Sequence, residues 1–439
     1  MAYDRARYEA VRLLIRCTDQ GGYSNILVRT ALPDTLSERD RDFSVYLFYG
    51  TLERLYTLDR LTEAFLSRPL ASLDREVRGI LRVSAFQILF CDTVPDAAAV
   101  NEGVALARAF KKSSAAGFVN AVLRKLSAQK ETLLRRLEED TPQGRALRYG
   151  CPPGLVGELA ADHGPLGEWF LENSFQKPPV FLRVNTLKTT DRALIGRLAG
   201  EGVTARETAL PHCLVAENLS DLSRLPSHQE GLFHVEDLSA QLCCAVLDAH
   251  PGQRVLDVCA APGGKTFTAA QEMENSGMLT ACDLHENRLK ALENGAVRLG
   301  LACVETLAAD GQEYRPELGN RDRVLCDVPC SGLGVLRRRP ELKQRDRADF
   351  AVLPDVQLAN LNNAARYVKP GGRLVYSTCT LRRAENERVV KQFLAVNPGL
   401  FEPEPFTLPY FGQTDGALTL LSRDYGGDGF FIAALRRVR

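Results

Sequence analysis

The amino-acid sequence predicts a multidomain protein in three parts: an all-α N-terminal bundle, a small α+β middle module and a C-terminal α/β domain of Rossmann-like design. Three observations lead there. Apolar residues recur three and four apart through the first third of the chain. A short stretch after a cluster of Pro and Gly carries β-formers and one helix. From about residue 236 the pattern is strand, turn and helix, repeated. With 439 residues, 45% of them hydrophobic and 25% charged, the chain is long enough for two or three cores.

Residues 1–140 read as the helical bundle, with stripes such as Val77, Ile80, Leu81, Ala85, Ile88 and Val119, Val122, Leu123, Leu126. Pro and Gly then cluster at Thr141-Pro142-Gln143-Gly144, Cys151-Pro152-Pro153-Gly154 and Lys177-Pro178-Pro179, and 141–175 is expected to be a helical connecting region. Residues 176–235 form the small module: Val180 to Val184 is rich in β-formers, and 191–200 reads as a helix ended by Gly200 and Gly202. Residues 236–439 form the α/β domain. Parallel strands are expected at 254–258, 278–282, 323–326 and 373–376, with a third strand region ended by Asp310. Two helices between or after them are marked by Leu289, Leu292, Ala296, Leu299, closed by Gly300, and by Val389, Val390, Phe393, Leu394, stopped at Asn397-Pro398.

Composition narrows the function. Lys plus Arg equals Asp plus Glu at 55 each, so no global positive field points to nucleic acid, and any such binding must come from local patches. The first residues, Met1 to Arg12, are charged, and no stretch reaches the roughly eighteen apolar residues of a membrane span, so a cytoplasmic protein without a membrane partner is expected. The twelve cysteines include no Cys-x-x-Cys pair and no His-x-x-x-His nearby, so neither a metal site nor a disulfide framework is expected. Cys17, Cys91, Cys243, Cys244, Cys282 and Cys326 sit in apolar surroundings and are expected to be buried and inert.

In an open α/β sheet, ligands bind outside the carboxyl ends of the strands, and the turn after the first strand comes nearest to them. Here that turn is Cys259-Ala260-Ala261-Pro262-Gly263-Gly264-Lys265. Gly263 and Gly264 are expected to keep side chains out of the approach, and the helix starting near Lys265 offers free N–H groups to an anionic group. The loop is neither a dinucleotide fingerprint nor a phosphate loop. Asp283, at the end of the second strand, is placed to accept from ribose hydroxyls, and Asp310 to reach the adenine end; the bland alternative makes each a helix cap or turn residue. Ribose and adenine without a phosphate loop fit S-adenosylmethionine.

Downstream lie Asp327-Val328-Pro329-Cys330 and Ser377-Thr378-Cys379. Cytosine C5 is a poor nucleophile until something adds to C6, so methylating it needs a thiolate, stabilisation of the adduct and a base for the C5 proton. Cys379 is expected at a strand end just before a helix whose N-terminal field favours the thiolate. Asp327 ends the neighbouring strand, where desolvation would leave a protonated carboxyl able to donate to ring N3. Cys330 follows Pro329 in a restricted turn, as a base or an aid to expelling the enzyme. Either cysteine could attack on chemistry alone.

These segments closely resemble the RsmB/Sun-type family of ribosomal RNA cytosine-C5 methyltransferases along nearly the whole chain. Glu38-Arg39-Asp40-Arg41-Asp42-Phe43, Tyr49-Gly50, Val94-Pro95 and Gly117 to Arg124 resemble that family's NusB-like RNA-binding domain, and Pro179 to Thr186 resembles the opening of its RRM-like middle module. The resemblance implies a class I methyltransferase domain, cytosine C5 in small-subunit (16S) ribosomal RNA as target, and Cys379 as nucleophile with Cys330 assisting release. It also implies that residues 259–265, Asp283, Arg288, Asp310 and Asp327 line the S-adenosylmethionine pocket, with Asp327 and Lys265 near the target base. A monomer is expected. Two departures, Glu236 where members often have Gln and Gln344 where Trp is frequent, bear on substrate contacts rather than chemistry.

Arg337, Arg338, Arg339, Lys343, Arg345 and Arg347 give six positive charges against Glu341 and Asp346, a patch suited to phosphate contacts or a merely solvated segment. A base inside a duplex cannot reach such a pocket, so the target should be unpaired or flipped out. Rival readings are a methyltransferase acting on tRNA or another RNA, a catalytically idle RNA-binding assembly factor, and a small-molecule or protein methyltransferase.

Overall fold

The computed structural model describes residues 3–217, 222–345 and 347–439. The chain divides into two compact units, one made of the residues up to Gln176 with the stretch from Leu336 to Arg347, the other of the remainder.

The first unit is helical for reasons visible locally. Asp4 caps the helix Arg5–Gln20 by accepting from Arg7 N at 2.8 Å, and Gly21 closes it at φ 69°. Ser37 caps Glu38–Glu53 in the same way. That helix packs closely on Arg75–Phe90, where a Cβ on Gly50 would lie 2.1 Å from the Phe86 ring. Within the connecting region 141–175, read as helical, Pro142, Pro153 and Pro165 open the helices Pro142–Tyr149, Pro153–His163 and Pro165–Asn173, where a missing N–H costs nothing. Leu14, Leu47, Phe48, Leu58, Ile80 and Leu123 are fully buried in one core.

The second unit begins with β1 (Val180–Val184), the helix Asp191–Gly200, β2 (Thr204–Glu207), β3 (Cys213–Glu217), the short helix Pro226–Gln229 and β4 (Phe233–Val235). All pairings are antiparallel in the order β2-β3-β1-β4, the ferredoxin-like βαββαβ arrangement. Its own core holds Leu182, Leu194, Leu198, Leu214 and Phe233.

The main sheet contains β5 (Arg254–Asp257), β6 (Met278–Asp283), β7 (Val304–Ala308), β8 (Arg321–Asp327), β9 (Val368–Thr378) and β10 (Phe401–Pro403). After the separate hairpin β11 (Phe406–Leu408) and β12 (Gly412–Thr414), β13 (Ala417–Leu420) and β14 (Phe430–Arg437) complete it. The order is β10-β14-β9-β8-β5-β6-β7, with β13 on β14. Strands β5 to β9 are parallel as expected, but β14 runs antiparallel to β9, β10 and β13, so the sheet is mixed. Alternate residues feed two cores: Leu325 and Val375 point to one face, Val324, Cys326, Leu374 and Tyr376 to the other, so the sheet is covered on both sides. Strand order reverses between β5 and its neighbours β6 and β8, which opens a crevice at their carboxyl ends.

Candidate active site

The turn from β5 crosses that crevice. Val258 N donates to Leu325 O at 3.0 Å and Ala260 N to Cys282 O at 2.7 Å, tying the turn to β8 on one side and β6 on the other. Gly263 sits at φ 111°, and a Cβ there would lie 2.5 Å from the Phe267 ring and 2.9 Å from Leu292. A Cβ on Gly264 would meet the Glu236 carboxylate at 3.1 Å. A side chain at either glycine would therefore also meet neighbouring protein atoms, so both let the turn pack closely. The helix Gly264–Glu272 has no capping side chain, which leaves its first N–H groups for a bound carboxylate. Its Thr266 hydroxyl donates to Asp257 at 2.8 Å at the end of β5. Burial pushes the Asp257 carboxyl up to about 7 against that hydrogen bond. Asp257 carried no role in the sequence reading, although its position at the end of a buried strand was a signal.

Asp283 ends β6 and is 4% exposed. It accepts from His285 N at 3.0 Å and pairs with Arg288 at 3.2 Å, while Arg288 Nη2 donates to Ala261 O at 2.6 Å. Arg288 thus joins the strand end to the glycine turn. Asp310 lies two residues past β7 and accepts from Gln312 N at 2.9 Å, its own turn. An uncapped helix start and a buried acid at the next strand end suit the amino-acid and ribose ends of S-adenosylmethionine.

Beyond β8 and β9, which pair Asp327 with Ser377, the two cysteine segments continue side by side. Gly334 N donates to Cys379 O at 2.9 Å, and the sulfurs of Cys330 and Cys379 are 3.3 Å apart. Lys265 Nζ reaches Asp327 Oδ2 at 2.7 Å, and Ser377 Oγ donates to Oδ1 at 2.7 Å. Of the twelve cysteines, nine are buried and only Cys259, Cys330 and Cys379 are partly exposed. Cys379 is also the one thiol drawn below its ordinary value: the hydrogen bond it shares with Cys330 and the Lys265 ammonium favour its thiolate, together outweighing burial. Cys330 is driven up by the same shared hydrogen bond, by burial and by Glu385. The remaining ten are all raised, chiefly by burial.

Comparison with known proteins places this geometry. Residues 244–436 match the family model of the 16S rRNA methyltransferase RsmB/F, residues 4–128 the NusB family and residues 152–222 the ferredoxin-like domain of RsmF/B-like methyltransferases. A probable ribosomal RNA small subunit methyltransferase B of Bacillus subtilis is 33% identical over 98% of both chains. The corresponding protein of Synechocystis is 36% identical over 98% of this chain and 99% of its own. The chain belongs to the ribosomal RNA small subunit methyltransferase B family. Among solved structures, PH0851 superposes with a TM-score of 0.87 at 26% identity over the full length of both chains. A methyltransferase homologue from Pyrococcus horikoshii superposes at 0.60 with 28% identity, covering 68% of this chain and 99% of that one. The cofactor is S-adenosylmethionine, the donor used by this methyltransferase family.

The helix after Cys379 begins only at Glu387 rather than directly after the cysteine, and Cys330 and Lys265 also favour the thiolate at Cys379. The carboxyl of Asp327, read as able to carry a proton if desolvated, lies against a lysine. Burial tends to strip the Lys265 ammonium, but the Asp327 carboxylate outweighs it and holds the proton on the lysine. The basic run is largely engaged within the helical unit. Lys343 is fully buried and donates to Tyr149 O at 3.2 Å, Arg339 lies over the Tyr23 ring at 4.6 Å, and Arg347 pairs with Glu158 at 3.1 Å. Asp346 lies outside the described residues. Gln344 donates to Gly150 O at 3.2 Å, and Glu236 is buried with Thr268 donating to it.

Proposed function

We propose that this chain methylates cytosine at C5 in small-subunit ribosomal RNA through a transient bond between Cys379 and C6. The observation that carries the reading is the pair of sulfurs 3.3 Å apart, with Cys379 alone among the cysteines favoured as thiolate. In this reading Cys379 adds to C6 and the ring electrons move to C5. S-adenosylmethionine supplies a methyl group on a sulfonium, which C5 takes. The C5 proton then leaves to a base, for which Asp327 is the candidate, and the C5–C6 double bond re-forms as the Cys379 sulfur departs. Cys330 eases that departure because its S–H is ready to stabilise the returning thiolate. Lys265 and Asp327, joined at 2.7 Å, hold a fixed charge pair against the polar edge of the base. The helical unit, similar to the NusB family, is read as the part that holds RNA.

The test has two arms. Bisulfite sequencing of ribosomal RNA from cells with and without the protein should reveal one cytosine whose protection depends on it. With purified enzyme, Cys379→Ala should abolish methyl transfer, and Cys330→Ala should accumulate a denaturant-resistant enzyme–RNA adduct. Adduct formation by Cys379→Ala instead would reverse the two assignments, and transfer to a position other than C5 would remove the covalent scheme.

A further inference from the structure

Two adjacent buried residues outside this chemistry link both cysteine segments. Glu385 and Asn386 occupy the turn after β9 and are each 0% exposed. Glu385 Oε2 accepts from Ser331 N at 2.9 Å and from Gln357 Nε2 at 2.9 Å, and Gln357 Nε2 also donates to Pro329 O at 3.0 Å. The residues on either side of Cys330 are thus held from one carboxylate. Asn386 treats the other cysteine alike, accepting from Thr378 Oγ1 at 2.6 Å and donating to Thr380 O at 2.9 Å, on either side of Cys379. The hydroxyls of Ser331 and Thr380, 2.7 Å apart, lace the two segments together.

Arg382 Nη1 pairs with Glu385 Oε1 at 3.0 Å, and Tyr376 donates its hydroxyl to the Glu385 carbonyl at 2.6 Å, so this turn is itself fixed. Hydrogen bonds that cross about fifty residues of sequence are hard to form by chance and rigid once made. The charged groups bearing on the sulfur pair are Lys265, Asp327, Asp428 and Glu385. Glu385 acts on Cys330, where it opposes a thiolate, and Lys265 acts on Cys379, where it favours one.

We propose that Glu385 and Asn386 are positioning residues that hold the two cysteine segments in the register where Cys330 donates its S–H to the Cys379 sulfur, which fixes the proton on Cys330 and frees Cys379 to attack. This rests on the reading of Cys379 as nucleophile. Its test uses the full-length enzyme without RNA, so its outcome is separate from whether cytosine C5 is the target.

The measurement is the pH midpoint for iodoacetamide modification of Cys379, followed by peptide mass spectrometry. Glu385→Ala should raise that midpoint by about one pH unit, the size of a lost charge-assisted hydrogen bond. In a Cys330→Ala background the same substitution should leave it unchanged, because the donor it positions is already gone. Should Glu385→Ala not fold, Gln357→Met keeps the side-chain length, cuts the link from Pro329 to Glu385, and takes the same two measurements with the same expected pattern. A midpoint that stays in place in the folded variant, or shifts equally with and without Cys330, overturns the proposal.

Discussion

Lys265 Nζ and Asp327 Oδ2 lie 2.7 Å apart at the end of β8, and the second oxygen of that carboxylate is taken by Ser377. The pair is a partly buried ion pair, so removing one member leaves the other without its partner. Asp327→Asn should lower stability by about 1–3 kcal/mol in urea unfolding and reduce methyl transfer at least a hundredfold. The apolar pair Lys265→Met with Asp327→Leu should recover most of the stability and none of the activity, which separates support of the fold from action on the base.

Asp257 gives stability a pH dependence of known sign. Burial raises its folded value to about 7 in spite of the Thr266 hydrogen bond, whereas in the unfolded chain it titrates near an ordinary carboxyl, about 4. Between those values the folded state holds a proton that the unfolded state has released, so stability falls as pH rises through that window. Asp257→Asn should flatten the decline: its unfolding free energy relative to wild type should improve between about pH 5 and about pH 8. A constant difference across that range would exclude Asp257 as the source.

Gly263 cannot carry a side chain without moving the turn, because its φ is 111° and a Cβ would lie 2.5 Å from Phe267. Gly263→Ala should weaken S-adenosylmethionine binding by tenfold or more in calorimetry and lower the melting temperature, since both strain and contact oppose it.

Arg288 bridges Asp283 and the Ala261 carbonyl, with contacts of 3.2 and 2.6 Å. Replacing it with Met should raise KM for S-adenosylmethionine by about tenfold, equivalent to about 1.4 kcal/mol, with a smaller change in kcat. A change confined to kcat would place Arg288 in the chemical step instead.

The sequence made some elements readable and hid others for physical reasons. β1 was legible to the residue because a β-branched and aromatic run follows two prolines. Only 373–376 of β9 was legible, since Lys369-Pro370-Gly371-Gly372 reads as a turn, yet the strand spans Val368–Thr378 and absorbs an irregularity opposite Arg321 and Arg323. The antiparallel β14 is buried on both faces and has no alternation to reveal it. At the site, spacing brought Lys265, Asp327, Cys330 and Cys379 together, because strand ends in one sheet converge. Glu385 and Asn386 stayed hidden: their partners lie far away in sequence, and nothing local distinguishes them from a solvated turn. Lys343 was misleading in the opposite sense, a charge in a basic run that is wholly enclosed.

The stretch from Leu336 to Arg347 belongs to the helical unit although the chain on both sides of it belongs to the other. Leu336, Leu342 and Lys343 are buried there, and Lys343 also donates to the Glu53 carbonyl. The polypeptide is therefore interlaced rather than beaded. A gene cut near residue 176 would yield one fragment missing a strip of its interior and another trailing a basic loop with uncovered leucines and an ammonium that has lost its carbonyls, so the halves are heritable only together.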